Sequence, residues 1–133
     1  MMTMNTAKLK AAAEKVRWVD WSAYKPHSGA RGYEVRAGSE AVAQHCLKDD
    51  AAFIAEASPK TVLCLIAALE AAEKRNAELE ESHKKLRDAM AVIHNTIRLD
   101  GLNAPLAAIM SRAKRAHEES AAAAGINLET GGE

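Results

Sequence analysis

The feature that most constrains this chain is a stretch of about forty residues without glycine or proline. The stretch follows Pro59 and ends at Gly101, and it is far longer than the average helix of a globular protein. Ser58 is a preferred N-cap residue, and proline is tolerated in the first turn of a helix. The sequence therefore predicts one long helix from Pro59 to about Leu99.

The apolar positions of this helix repeat every seven residues. Two columns hold mostly aliphatic side chains over five heptads, and the positions beside them are largely charged or polar after Ile66. This pattern is typical of a coiled coil, whereas a helix packed inside a globule has a wider apolar stripe. The predicted oligomer interface consists of Val62, Leu65, Leu69, Asn76, Leu79, His83, Leu86, Met90, Ile93 and Ile97.

Two of these core positions are polar. A buried asparagine such as Asn76 fixes register and strand number at a cost in stability, although it can also be a tolerated defect. Arg75 and Glu80 would face each other across two parallel helices, so parallel association is favoured. His83 lies one heptad later, where two imidazoles in one layer would repel each other when protonated. We expect a homo-oligomer, either a dimer or a tetramer.

Residues 1–58 predict a small α+β head. A helix rich in alanine and lysine runs from Asn5 to about Val16, with Asn5 or Thr6 as its cap. Alternating side chains then predict short strands separated by glycine-containing turns. The strands fall within Arg17–Tyr24, Tyr33–Ala37 and Glu40–Cys46. We expect an antiparallel sheet covered by the first helix.

A short helix and a C-terminal helix complete the predicted order of elements. Asp49 or Asp50 would cap a helix over residues 51–57, and Asn103 would cap a helix that runs to about Ala124. That last helix could fold back as a hairpin or associate between chains, and the tail after Gly125 is expected to be disordered. The domains are then the head (1–58), the oligomerisation helix (59–100), and the C-terminal helix and tail (101–133).

The residues give no basis for catalysis or for cofactor binding. The glycines form no phosphate-binding loop, and no nucleophile motif is present. His27, His45 and Cys46 do not make a zinc site, because neighbouring residues of a strand point to opposite faces. We therefore predict a protein that is not an enzyme, with no cofactor and no metal.

Charge and hydropathy indicate which partners to expect. The chain has 18 basic and 18 acidic residues, whereas nucleic-acid binding usually leaves a basic excess on one face. Its longest apolar stretch, Val62–Ala72, is shorter than the roughly 20 residues of a membrane span. We expect a cytoplasmic protein that does not bind a membrane, and we do not expect it to bind nucleic acid. A nucleic-acid-associated regulator remains the alternative if basic residues cluster on one face of the head.

Four of the five aromatic residues lie between positions 18 and 33. All four could belong to the core of the head, and this interpretation suits Trp18 best. Strand alternation places Trp18 and Trp21 on opposite faces, so Trp21 or Tyr24 can reach the surface. Exposed aromatics near arginine form good contact surfaces. The candidate partner contact is therefore Trp21, Tyr24 and Arg31.

The segment from Asp50 to Glu80 resembles the Ead family of small early proteins of lambda-like temperate phages. The resemblance extends over about residues 5–80. The positions that carry it are Asp50, Ala51, Phe53, Ile54, Ala55, Ala57, Pro59, Val62, Leu63, Leu65, Ile66, Leu69 and Glu70. It implies an oligomeric phage or prophage accessory protein, associated with the choice between lysis and lysogeny, and it assigns no functional residue.

These observations together predict an interaction protein. A coiled coil would present several copies of the head to a host or phage protein, which raises avidity without any new contact. The expected role is to modulate host takeover, the lysis-lysogeny choice or a host defence.

Overall fold

The computed structural model describes residues 4–17 and 19–125. It confirms the predicted α+β class and most of the order of elements. The elements are α1 (Thr6–Lys15), β1 (Trp21–Tyr24), β2 (Tyr33–Ala37), β3 (Glu40–Cys46), α2 (Lys48–Glu56), α3 (Pro59–Asp100), a 3-10 turn (Gly101–Asn103) and α4 (Leu106–Ala124). Two compact units divide between Glu70 and Ala71, so α3 contributes to both. The expectations for Trp18 and for the tail at 126–133 lie outside the described residues.

The first unit is built on an antiparallel sheet with the strand order β1-β2-β3. Trp21 pairs with Ala37, and Tyr24 pairs with Glu34. Val35 and Ala37 of the central strand are buried. Among the described residues, Val35 is the one large side chain that is completely buried, so this core is small and rests on close backbone packing.

The helix that packs against the sheet is α2, and the prediction that α1 covers it is wrong. Ala51 of α2 is fully buried, and its small side chain lets the helix approach the strands closely. Helix α1 is instead joined to α3, because the Lys10 amino group lies 2.9 Å from the Glu70 carboxylate. This hydrogen bond raises the pKa of Lys10.

Two helices begin where the sequence predicts, and a side chain caps the first turn of each. The Asn5 side chain accepts a hydrogen bond from the Lys8 amide at 2.9 Å, and the Ser58 hydroxyl accepts one from the Thr61 amide at 3.4 Å. The predicted cap at Asp49 or Asp50 is wrong, because α2 begins at Lys48 and both aspartates fall in its first turn. A negative charge there still favours the helix through its dipole.

The start of α4 also differs from the prediction, whereas its end agrees. Asn103 belongs to the 3-10 turn, so it does not cap α4, which begins only after Pro105. The helix ends at Gly125, whose φ of 72° is left-handed. Glycine adopts this conformation without a steric penalty.

An irregularity in the sheet brings two backbones unusually close. Tyr33 pairs with Cys46 and Val35 pairs with Ala43, so two residues of β3 oppose the single residue Glu34. His45, in this bulge, has a left-handed φ of 59°. A Cβ atom on Gly32 would lie 2.9 Å from the His45 Cα atom. The bulge therefore requires glycine at position 32.

We predict that Gly32→Ala destabilises the head. The added methyl group would meet backbone atoms, which cannot move aside as a flexible side chain can, and overpacking of this kind costs about 1–3 kcal/mol. The measurement is the free energy of unfolding in urea at a fixed protein concentration. Gly29→Ala is the matched control, because a Cβ atom there meets only the His27 side chain, at 3.6 Å. Equal stability of the two variants would contradict the close approach.

Candidate interaction surfaces

Helix α4 folds back along α3 within the second unit, which resolves the alternative that the sequence left open. The Arg75 guanidinium donates a hydrogen bond to the carbonyl oxygen of Ala123, so the end of α4 lies beside the middle of α3. The two helices therefore form an antiparallel hairpin. The residues of α3 that this contact partly buries are Ser82, Leu86, Ala89, Ile93 and Thr96.

The hairpin divides the predicted oligomer interface into two sets. Leu86 and Ile93 are half-buried on the side of α3 that α4 covers. The second set lies outside that contact. Leu79, Met90 and Ile97 are 37%, 61% and 49% exposed, and the side chains of Asn76 and His83 are also exposed. In a single chain, the heptad column of Asn76, His83, Met90 and Ile97, together with Leu79 of the other column, is thus left uncovered by α4 among the described residues.

Three further positions of the predicted interface lie on the part of α3 that belongs to the first unit. Val62 is half-buried there, whereas Leu65 and Leu69 are exposed. Phe53 of α2 is also 73% exposed. No single described helix is long and apolar enough to cross a membrane, although α2 and α3 together, bent by 53°, meet the length and composition for one.

The geometry also changes the interpretation of Arg75. Its guanidinium lies 3.4 Å from the Glu78 carboxylate and is bound to the end of α4. The same heptad column continues through Ser82 and Ala89, which α4 partly buries. Arg75 therefore has partners within its own chain, and its pair with Glu80 of another chain remains a prediction.

A cleft of about 340 Å³ opens along one side of the hairpin. Its floor is apolar and includes Leu86 and Ala116. Its rim is charged, with Glu78, Glu81, Lys85, Arg112, Arg115 and Glu119. Lys85 and Glu81 are 3.0 Å apart, and their hydrogen bond raises the pKa of Lys85 and lowers that of Glu81. Both signs of charge occur around the cleft, so it favours no single sign of ligand.

The candidate contact residues of the head lie on two faces of the sheet. Trp21 is half-buried and pairs with the buried Ala37, on the face that α2 covers. Tyr24 is 40% exposed and lies on the opposite face. Arg31 is exposed in the turn before β2. Tyr24 and Arg31 are therefore accessible, whereas Trp21 presents only part of its ring.

Sequence reasoning missed a cation-π contact on the open face of the sheet. The Arg36 guanidinium lies over the Tyr24 ring, 3.9 Å from its centroid, and its Nε donates to the Glu34 carboxylate at 3.0 Å. The alternation of YEVRA placed Glu34 and Arg36 on one face, but their position against Tyr24 depends on the strand register. The indole N–H of Trp21 is buried and has no acceptor among the described residues.

These features define a small α+β protein with a two-helix hairpin. No cluster of three or more His, Cys, Asp or Glu side chains is placed to hold a metal in that part of the chain. The chain belongs to the Ead/Ea22-like protein family, which it matches over residues 3–127. No curated protein and no solved structure matches it significantly.

We predict that Arg75→Gln loosens the end of α4. Removing the guanidinium leaves the last turn of the helix without its hydrogen bond to α3. Hydrogen exchange measured by mass spectrometry should therefore accelerate over residues 119–124 and stay unchanged in β1–β3, because protection reports local opening. Arg98→Gln, an exposed arginine at the other end of α3, is the control. Unchanged exchange in α4 would show that the bond does not hold the hairpin.

Proposed function

We propose that this Ead/Ea22-like chain is an accessory protein that acts by binding other proteins, as a homo-oligomer assembled through α3. The observation that carries the proposal is the set of exposed apolar side chains that α4 leaves uncovered on that helix. Met90 and Ile97 remain 61% and 49% exposed although a second helix of the same chain lies beside them. Contiguous exposed apolar surface is typical of an interaction site.

The small core gives a second reason for assembly. The buried hydrophobic residues of the described chain are mostly alanines, and alanine removes little apolar area from water. Small domains with such cores commonly gain stability by oligomerisation. Self-association would therefore contribute to folding as well as to function.

The head supplies the surface for a different protein. Tyr24, with Arg36 over its ring, combines an aromatic side chain and a guanidinium, the residue types that dominate interface hot spots. Arg31 adds a second exposed guanidinium. The family fits a phage accessory protein, and we infer that the partner is a bacterial host or phage protein in the host cytoplasm. The role would be in host takeover, the lysis-lysogeny choice or host defence.

We predict that the purified chain is a dimer or a tetramer at micromolar concentration. Light scattering coupled to size exclusion gives the mass directly. Leu79→Pro should yield a monomer or an unfolded chain, because proline inside a helix costs about 3 kcal/mol or more. Leu79→Met keeps an apolar side chain and should retain the wild-type mass. A wild-type chain that stays monomeric would contradict the proposal.

We further predict that head and oligomer can be separated by mutation. The double variant Tyr24→Ala with Arg31→Ala should lose a specific protein captured from phage-infected cells while keeping the wild-type mass. Trp21 is left unchanged because it is half-buried and its loss would disturb the fold. Gln44→Ala, an exposed position on β3, is the control. A salt-sensitive shift of duplex DNA, unaffected by the head substitutions, would instead favour the nucleic-acid regulator.

A further inference from the structure

The two sides of the α3–α4 hairpin differ in chemistry. An α-helix turns about 100° per residue, so residues beside the contact line through Leu86, Ala89 and Ile93 can be assigned to one side or the other. On α3, Glu81 and Lys85 lie about 60–100° to one side, and Met90 and Ile97 lie about 60–80° to the other. Glu81 and Lys85 therefore lie on one side of the contact, and the exposed Met90 and Ile97 lie on the other.

Helix α4 is divided in the same way, and the cleft shows which sides match. Arg112, Arg115 and Glu119 line the cleft together with Glu81 and Lys85, so the charged residues of the two helices share one side of the hairpin. Leu106 and Met110 lie on the other flank of α4 and are 67% and 63% exposed. Leu79, Met90 and Ile97 of α3 therefore share the second side with Leu106 and Met110 of α4. We call this set the apolar flank: Leu79, Met90, Ile97, Leu106 and Met110.

A column of charges beside the apolar flank indicates what covers it. Along α3, at intervals of seven residues, this column carries Glu73, Glu80, Arg87 and His94. Its charge changes from negative at Glu80 to positive at Arg87. A second α3 running in the opposite direction would place Glu80 beside Arg87 of the second copy, and Arg87 beside its Glu80. A second α3 running in the same direction would place like charges at the same level.

The apolar residues fit the same antiparallel alignment. When Glu80 is level with Arg87 of the second copy, Leu79 is at about the level of Met90 of that copy, so apolar residues meet. Exposed charge pairs of this kind contribute little affinity, but they set orientation by penalising the alternative. The charge column therefore pairs opposite charges only when the two α3 helices run antiparallel.

We propose that the apolar flank binds a second copy of this chain with the two α3 helices antiparallel, so that two hairpins form a four-helix bundle. This inference rests on the proposed self-association and specifies its surface and direction. Each neighbouring helix in such a bundle runs antiparallel to the next, an arrangement common in four-helix bundles. Leu86 and Ile93 then pack within each chain, and Met90 and Met110 pack between chains.

The first test places a charge on each side of the hairpin. Met90→Glu combined with Met110→Glu should convert the oligomer to a monomer at the same concentration, with the helix content retained by circular dichroism. Val92→Glu is the matched control, because Val92 is 42% exposed on the same helix but faces the charged side beside Arg112 and Arg115. It should leave the mass unchanged. Dissociation by Val92→Glu alone would overturn the assignment of the apolar flank.

The second test measures direction in the full-length chain. With Cys46 and Cys64 replaced by serine, spin labels are attached to Lys74→Cys or to Lys84→Cys, both exposed and off the apolar flank. Antiparallel α3 helices put the two labels at position 74 about 30 Å apart along the bundle, because each residue adds 1.5 Å, and those at position 84 close together. Distances measured by pulsed electron paramagnetic resonance should be long between the labels at position 74 and short between those at position 84.

The outcomes separate the two proposals. A dimer or tetramer in which both label pairs are within about 20 Å has parallel α3 helices, and it would overturn the antiparallel bundle while leaving self-association intact. A monomer by light scattering would overturn self-association and the bundle with it. A long distance at position 74 together with a short one at position 84 supports both.

Discussion

The contact between α3 and α4 is the constraint on which the organisation of the second unit depends. Helix α3 is 42 residues long and carries two apolar columns, but a single neighbouring helix covers only one side of it. Because α4 lies over Leu86 and Ile93, it leaves Met90 and Ile97 exposed to solvent or to another chain. A coiled-coil pattern in the sequence therefore becomes, in one chain, a helical hairpin with one side of α3 covered by α4 and one side exposed.

The head is built on a small core of its own. The buried side chains of its sheet and of α2 are Val35, Ala37 and Ala51, so this core lacks large side chains. At the bulge, Gly32 and the left-handed His45 let two backbones approach each other closely. On the face of the sheet opposite α2, the Arg36 guanidinium lies over the Tyr24 ring.

Much of this fold could be predicted from local signals. The alternation of Tyr33–Ala37 and Glu40–Cys46 gave the bounds of two strands, the Asn5 and Ser58 side chains cap their helices, and the absence of glycine and proline after Pro59 gave the length of α3. The choice between α1 and α2 as cover for the sheet is a matter of tertiary packing, since both are short and rich in alanine. The Tyr24–Arg36 contact needed the strand register. The heptad columns were visible in the sequence. Which side chains α4 would cover was not, because the pattern of one helix does not say where a second helix lies.

Methionine oxidation offers the most direct measurement of the central claim, that the open side of the hairpin is covered in the assembled protein. In a single chain, Met4, Met90 and Met110 are similarly exposed, at 66%, 61% and 63%. Oxidation of a methionine requires access of the oxidant to its sulfur, so Met4 serves as an internal reference. Limited peroxide treatment of the wild-type protein, followed by peptide mass spectrometry, should oxidise Met4 much faster than Met90 and Met110. Similar rates at all three sites would contradict the account.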